Sequence, residues 1–196
     1  PYRVMVDAYR QGAQPALGSP TKFKVVLDPG HGGKDNGASG HSKLHEKDVV
    51  LGIAKRLKTK LEKMDIDVVL TRTSDEFVSL EERTAIANRS EADAFVSIHA
   101  NASTNPKSYG IETYFLSQHS SDRQSAQTAL RENEGATAAH SEKHKPVDLI
   151  LKQMTHNANH RQSQQLAIHF ETILKQSLHS RGRGVLQAPF VVLLEA

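Results

Sequence analysis

Val25-Val26-Leu27-Asp28-Pro29-Gly30-His31-Gly32-Gly33 is the stretch that decides how the chain folds. The apolar run Phe23 to Leu27 has the character of a strand covered on both faces. It stops at Asp-Pro-Gly, and a histidine then stands among three glycines. Proline and glycine end the strand and open backbone conformations closed to other residues. A histidine held in a tight turn at the end of a buried strand is placed to face a cleft.

Further along, Asp35 to His45 reads as a Gly/Ser/Asn/His loop, and a helix follows from about Glu46 to Met64. Its apolar positions Val49, Val50, Ile53, Leu57, Leu61 and Met64 share one face. Glu46 lies in the first turn, where the helix dipole favours a carboxylate; a solvated acid would sit there equally well. Asp67 to Arg72 reads as a strand, and Ser79-Leu80-Glu81-Glu82 as a capping box opening a short helix through Asn88. Ala94 to Ile98 is a third buried strand, and it too ends at a histidine, in His99-Ala100-Asn101. Sites in open α/β sheets form beyond the carboxyl ends of strands, so His31 and His99 can meet in one cleft. Imidazole is the commonest metal ligand. A catalytic zinc needs three protein ligands and one open position, and His31, Glu46 and His99 supply such a set. A carboxylate off the metal must act as base. Glu195, after an expected last strand Phe190 to Leu194, is the candidate.

Gly110 to Leu116 alternates as a strand. Gln118 to His160 is polar and histidine-rich, with a helix expected from about Asp122 to Glu134, a loose stretch to Lys145 and a helix start at Pro146-Val147. A long helix is expected from Arg161 to Leu178, ended by Arg181-Gly182-Arg183-Gly184. Tyr2 to Tyr9 alternates weakly, and Gln11 to Thr21 reads as a linker. The fold expected is a single α/β domain over residues 23–196, with a central, mostly parallel mixed sheet flanked by helices. Residues 118–160 form a helical insert near the active site, and residues 1–22 a tail or linker that could be the remnant of an upstream domain.

Composition narrows the function. The 196 residues carry a net charge of +3 with histidine neutral, and aromatics make up 5% without interleaving with a basic stripe. That argues against nucleic acid as partner. With no cysteine, disulfides and thiolate metal sites are excluded. No apolar run is long enough to span a membrane. The pairs His41/His45, His140/His144 and His156/His160 have helical spacing but no evident third ligand, and read as solvated. Arg83 and Asn101 are candidates for binding substrate or for supporting the sheet edge.

The segment LDPGHGGKDNGASG, with Glu46-Lys47-Asp48, resembles the zinc-dependent N-acetylmuramoyl-L-alanine amidases of bacterial cell-wall turnover. So do TRTSDEFVSLEERTAIAN, DAFVSIHANAS and GIETYFLS. The likeness runs from about Phe23 to Ser117 and resumes from Leu166 to Glu195. It implies zinc ligands at His31, Glu46 and His99 and the catalytic acid at Glu195. It also implies hydrolysis of the amide between N-acetylmuramic acid and L-alanine in peptidoglycan, by a protein exported to the periplasm or cell envelope. A monomer is expected. Division-associated members carry a helix in the insert that plugs the site until an activator protein displaces it. Within Leu130-Arg131-Glu132-Asn133-Glu134, Glu132 is the first candidate for the blocking acid and Glu134 the second. The chain departs from the family near its end, where Val192 runs directly into Leu193-Leu194-Glu195-Ala196 without the usual short loop. Two other functions fit the residues: a zinc peptidase acting on wall stem peptides, and a catalytically silent wall-binding regulator.

Overall fold

The computed structural model describes residues 2–8, 22–40, 44–100, 110–134, 146–179 and 182–194. Six strands form one sheet: β1 (Tyr2–Ala8), β2 (Lys24–Pro29), β3 (Asp67–Leu70), β4 (Ala94–Ala100), β5 (Ile111–Leu116) and β6 (Gly182–Ala188). Their order in space is β3-β2-β4-β1-β5-β6, and every neighbouring pair is parallel except β1 with β4. Five helices accompany them: α1 (Glu46–Glu62), α2 (Leu80–Arg89), α3 (Arg123–Glu132), α4 (Pro146–Ser177) and the short α5 (Val191–Leu194). This is the α/β architecture expected, a mixed and mostly parallel sheet between helices.

Strand alternation sorts the core into two layers. Val25 and Leu27 of β2 and Ala94, Val96 and Ile98 of β4 pack with Val50 and Ala54 of α1, and against Leu166 and Phe170 of α4. Val26, Phe95, Tyr114 and Leu116 turn the other way and pack with Ala87 of α2, Ala129 of α3 and Val192 and Leu193 of α5. Each fully buried side chain of this size contributes roughly 1.5–3 kcal/mol. The same alternation sends Asp28, Ser97 and His99 to the second face, so the polar ends of β2 and β4 project toward the layer of α2 and α3. The capping box forms as read: Ser79 Oγ accepts from the Glu82 N–H at 3.2 Å and opens α2.

Three expectations need correction. The insert's second helix does not end before Arg161: α4 runs unbroken from Pro146 to Ser177, so the expected boundary at residue 160 falls inside a helix. The Gly182–Ala188 segment is a strand rather than a helix terminator, because β5 offers it an unpaired edge. Its glycines allow this, with Gly184 at φ +86 beside a register shift between Ile111 and Thr113. Val191–Leu194 is one helical turn instead of the last strand. Phe190, Val192 and Leu193 enter the core from it, and Phe190 meets Tyr114 edge-on at 5.2 Å. The expected tail also contributes to the sheet. Tyr2–Ala8 lies between β4 and β5 and pairs with both, Val4 opposite Ile98 on one side and Thr113 on the other.

Candidate metal centre

Two parallel neighbours, β2 and β4, bring their carboxyl ends side by side, Pro29 opposite Ile98. His31 follows the first end and His99 lies on the second. The His31 backbone takes φ 59, a left-handed conformation in which histidine is several-fold enriched but which still costs of order 1 kcal/mol. It is held from three sides. Arg83 donates from Nη2 to the His31 carbonyl at 2.8 Å, the ring Nδ1 pairs with Asp35 Oδ2 at 2.8 Å, and Gly32 and Asp35 exchange backbone hydrogen bonds. Gly37, at φ +63, lies so close beneath the ring that a Cβ there would stand 2.6 Å from His31 Cδ2 and 2.8 Å from Glu46 Oε2.

His31 Nε2 then faces His99 Nδ1 at 3.1 Å, and Glu46 Oε1 lies 3.3 Å from the first nitrogen and 3.2 Å from the second. Glu46 opens α1, and both its oxygens are fixed by backbone: Oε1 accepts from the Ala100 N–H at 2.6 Å and Oε2 from the Ala38 N–H at 2.8 Å. The His99 ring lies over Gly30, where any side chain would collide with it. These three residues are a donor set that can hold a metal ion. Two imidazoles and one carboxylate suit zinc, and the Asp35 carboxylate behind His31 is the kind of outer partner that fixes a ligating tautomer. The set therefore fits the ion.

A fourth group reaches the same point. Glu132, the last residue of α3, places Oε2 3.1 Å from His99 Nδ1 and 3.6 Å from His31 Nε2, with its side chain 9% exposed. Burial opposes charge on all of these groups, but they hold one another ionised. His99 is pushed up to about 10, chiefly by Glu132 and then by Glu46. His31 is also raised, through its hydrogen bond to Glu46. Glu46 is held well below the usual carboxylate range by the two imidazoles, and Glu132 is lowered by His99.

The other expected residues take other places. Glu134 is exposed beside Glu132 on the rim of the cavity. Arg83 is 3% exposed, and its donors go to protein: Nε to the Val78 carbonyl at 3.0 Å, Nη1 to Asp28 Oδ1 at 2.6 Å and the Pro29 carbonyl at 2.9 Å, and Nη2 to His31. It bears on the site by holding the turn. Asn101 and Glu195 lie outside the described residues, as do His41, His140 and His144. Sequence reasoning missed Asp35, although its place four residues after His31 could have suggested a partner. It also missed Asp28, which accepts from Thr71 and Ser97 as well as Arg83 under both histidine-bearing strands. Asn133, which clasps the backbone at Pro189 and Val191, carries no signal in the sequence.

A cavity of about 410 Å³ opens over the cluster, bounded by His31, Glu46, His99, Phe77, Glu132 and Val192 among others. Fold and site together define an α/β protein built round a two-histidine, one-glutamate candidate metal centre. The chain belongs to the N-acetylmuramoyl-L-alanine amidase family Amidase_3, which matches residues 25–196. It is 37% identical over 176 residues to the N-acetylmuramoyl-L-alanine amidase AmiA of Escherichia coli K12, covering 88% of this chain and 61% of that protein. It is 36% identical over 172 residues to AmiC of Neisseria meningitidis MC58, covering 86% and 41%. The chain thus spans about three fifths of the length of AmiA and less of AmiC. Among solved structures, an N-acetylmuramoyl-L-alanine amidase from Clostridium difficile 630 superposes with TM-score 0.62 at 32% identity over 89% of this chain and 74% of that one. AmiC2 of Nostoc punctiforme gives 0.58 at 34% identity with the same coverage.

Proposed function

We propose that the protein is a zinc-dependent amidase that hydrolyses the bond between N-acetylmuramic acid and L-alanine in peptidoglycan, and that Glu132 holds it in check. The observation that carries the first part is the convergence of His31 Nε2, Glu46 Oε1 and His99 Nδ1 within 3.3 Å of one another, in a chain of this family. Zinc bound there would supply Lewis acidity, polarising the scissile carbonyl and acidifying a water. The residues around it prepare that chemistry. Asp35 keeps the proton on His31 Nδ1, which leaves the Nε2 lone pair for the metal. The two backbone donors on Glu46 keep its carboxylate oriented and ionised. Glu195 is the base candidate that takes the proton of the attacking water; it follows Val192, which lines the cavity, by three positions.

Glu132 supports the second part. A carboxylate at the fourth position excludes the water that hydrolysis needs. The face that seats α3 is poor in apolar groups: Ser125, Thr128 and Ala129 are its buried residues, and Thr128 Oγ1 has no hydrogen-bond partner among the described residues. A helix so weakly seated can be lifted by a partner at modest cost, which fits an activator protein. A substrate in the wall requires export, so the periplasm or cell envelope is the expected location, and a role in separating dividing cells is consistent with such control.

Muropeptides test the reading. The Glu132→Ala chain should release free stem peptide from them, lose that activity to a chelator and regain it with zinc. Activity indifferent to metal removal would overturn the zinc assignment. Cleavage confined to bonds within the peptide would make it a peptidase.

A further inference from the structure

The lining of the cavity contains one feature that hydrolysis itself does not use. Phe77 is 47% exposed and lines the same cavity as His31, Glu46 and His99, and no other Phe or Tyr lines it among the described residues. The backbone that carries this half-exposed ring is held in place. The loop before it is fastened to the turn that carries His31. Gly33 donates its N–H to Asp75 Oδ1 at 2.8 Å, and Lys47 Nζ ties the Gly33 carbonyl at 2.8 Å to Asp75 Oδ2 at 2.9 Å. Arg72 donates to the Ser74 carbonyl at 3.1 Å. The loop and the turn are so close that a Cβ on Gly33 would stand 2.7 Å from the Phe77 nitrogen. The loop that carries the ring is therefore tied to the turn that carries His31.

The surroundings of the ring indicate what it is for. Lys34 Nζ stands over the ring 4.6 Å from its centre, a cation–π contact on one face, so the face available to a sugar is the one Lys34 does not cover. The C–H groups on the flat side of a pyranose are weakly positive and apolar, and they favour such a face for the same reason. Asp75 and Glu76 precede the ring in the same loop, and both carboxyls are held below their ordinary range, Asp75 by Lys47 and Glu76 by Ser74. Carboxylates there offer acceptors to sugar hydroxyls. Resting on the amidase reading above, we propose that Phe77 is the platform on which a glycan sugar stacks, orienting the muramyl side of the scissile amide toward the metal centre.

Binding and kinetics test this on the full chain. Phe77→Leu keeps an apolar side chain but removes the ring, and Phe77→Tyr keeps the ring. The expected result is a glycan-strand affinity about tenfold weaker in Phe77→Leu, restored in Phe77→Tyr, with binding of free stem peptide unchanged. In the Glu132→Ala background, Phe77→Leu should raise KM for muropeptides about tenfold, leave kcat within twofold and leave zinc content unaltered. Glycan affinity and KM indifferent to the ring, or no glycan binding at all, would overturn the platform, as would an equal loss of peptide binding. Failure of the amidase reading is separate: it would appear as no stem-peptide release by the Glu132→Ala chain with Phe77 intact.

Discussion

Glu132 Oε2 stands 3.1 Å from His99 Nδ1, the nitrogen that Glu46 Oε1 approaches to 3.2 Å. One imidazole edge thus faces carboxylates from two helices, and Glu46 is anchored by backbone donors on both of its oxygens. In the proposed reading, Glu132 is the arm that leaves when the site opens. If the closed arrangement dominates and the open one makes up about 0.1–10% of molecules, freeing the site raises turnover by about ten- to a thousandfold. Glu132→Ala should show that rise in stem-peptide release in the folded, zinc-loaded protein, and Glu134→Ala should not. Equal rates for Glu132→Ala and the unaltered chain would remove the plug from the account.

Asn133 should set how tightly the plug closes. Its side-chain amide donates to the Pro189 carbonyl at 2.9 Å and accepts from the Val191 N–H at 2.9 Å, a two-point clasp one residue beyond Glu132. At about 1 kcal/mol for each of the two hydrogen bonds, Asn133→Ala should raise basal activity roughly thirtyfold. The double variant Glu132→Ala, Asn133→Ala should be no faster than Glu132→Ala alone, since both changes release one element. Additive gains in a double-mutant cycle would show that the clasp acts elsewhere.

The parts legible in the sequence are those where periodicity and punctuation agree. The β2 run ending at Asp28-Pro29-Gly30, the β4 run ending at His99 and the capping box at Ser79 each state a boundary locally, and each forms as read. The convergence of His31, Glu46 and His99 followed from strand-end placement together with the family resemblance. The failures are where tertiary pairing overrode local preference. Arg181-Gly182-Arg183-Gly184 reads as a helix stop, yet the edge of β5 recruits Gly182–Ala188 as a strand. Val191–Leu194 has β-branched and apolar residues suited to a strand, yet it coils into one turn and buries Val192 and Leu193. The Asn133 clasp joins residues 58 positions apart through a side-chain amide, which no pattern along the chain encodes.

Asp35 should govern metal affinity rather than chemistry. Its Oδ2 accepts from His31 Nδ1 at 2.8 Å, while Oδ1 accepts from the Gly37 N–H at 3.0 Å, so the carboxylate is itself oriented by the turn it serves. Removing such an outer partner costs about 10–100-fold in metal affinity. Asp35→Ala should weaken zinc binding by that factor in a competition with a chromophoric chelator. At saturating zinc, much of the hydrolysis should return. Unchanged affinity would mean that Gly37 packing alone aligns the ring.

Asp28 should make the fold acid-sensitive. It is 1% exposed and pairs with Arg83 at 2.6 Å, while Thr71 and Ser97 donate to its two oxygens. Burial works against its charge, but Arg83 and the two hydroxyls prevail and hold the carboxyl below its ordinary value. A carboxyl with a lower value in the folded than in the unfolded chain stabilises the fold above its unfolded value of about 3.9. That stabilisation is lost as pH falls from there through the folded value. Asp28→Asn removes the charge and leaves Arg83 buried without its counter-ion, a loss of about 3–5 kcal/mol at pH 7. The variant should then lose less further stability between about pH 5 and pH 2 than the unaltered chain does. Urea midpoints across that range read both effects, and parallel acid losses in the two proteins would show that the pair does not carry the acid response.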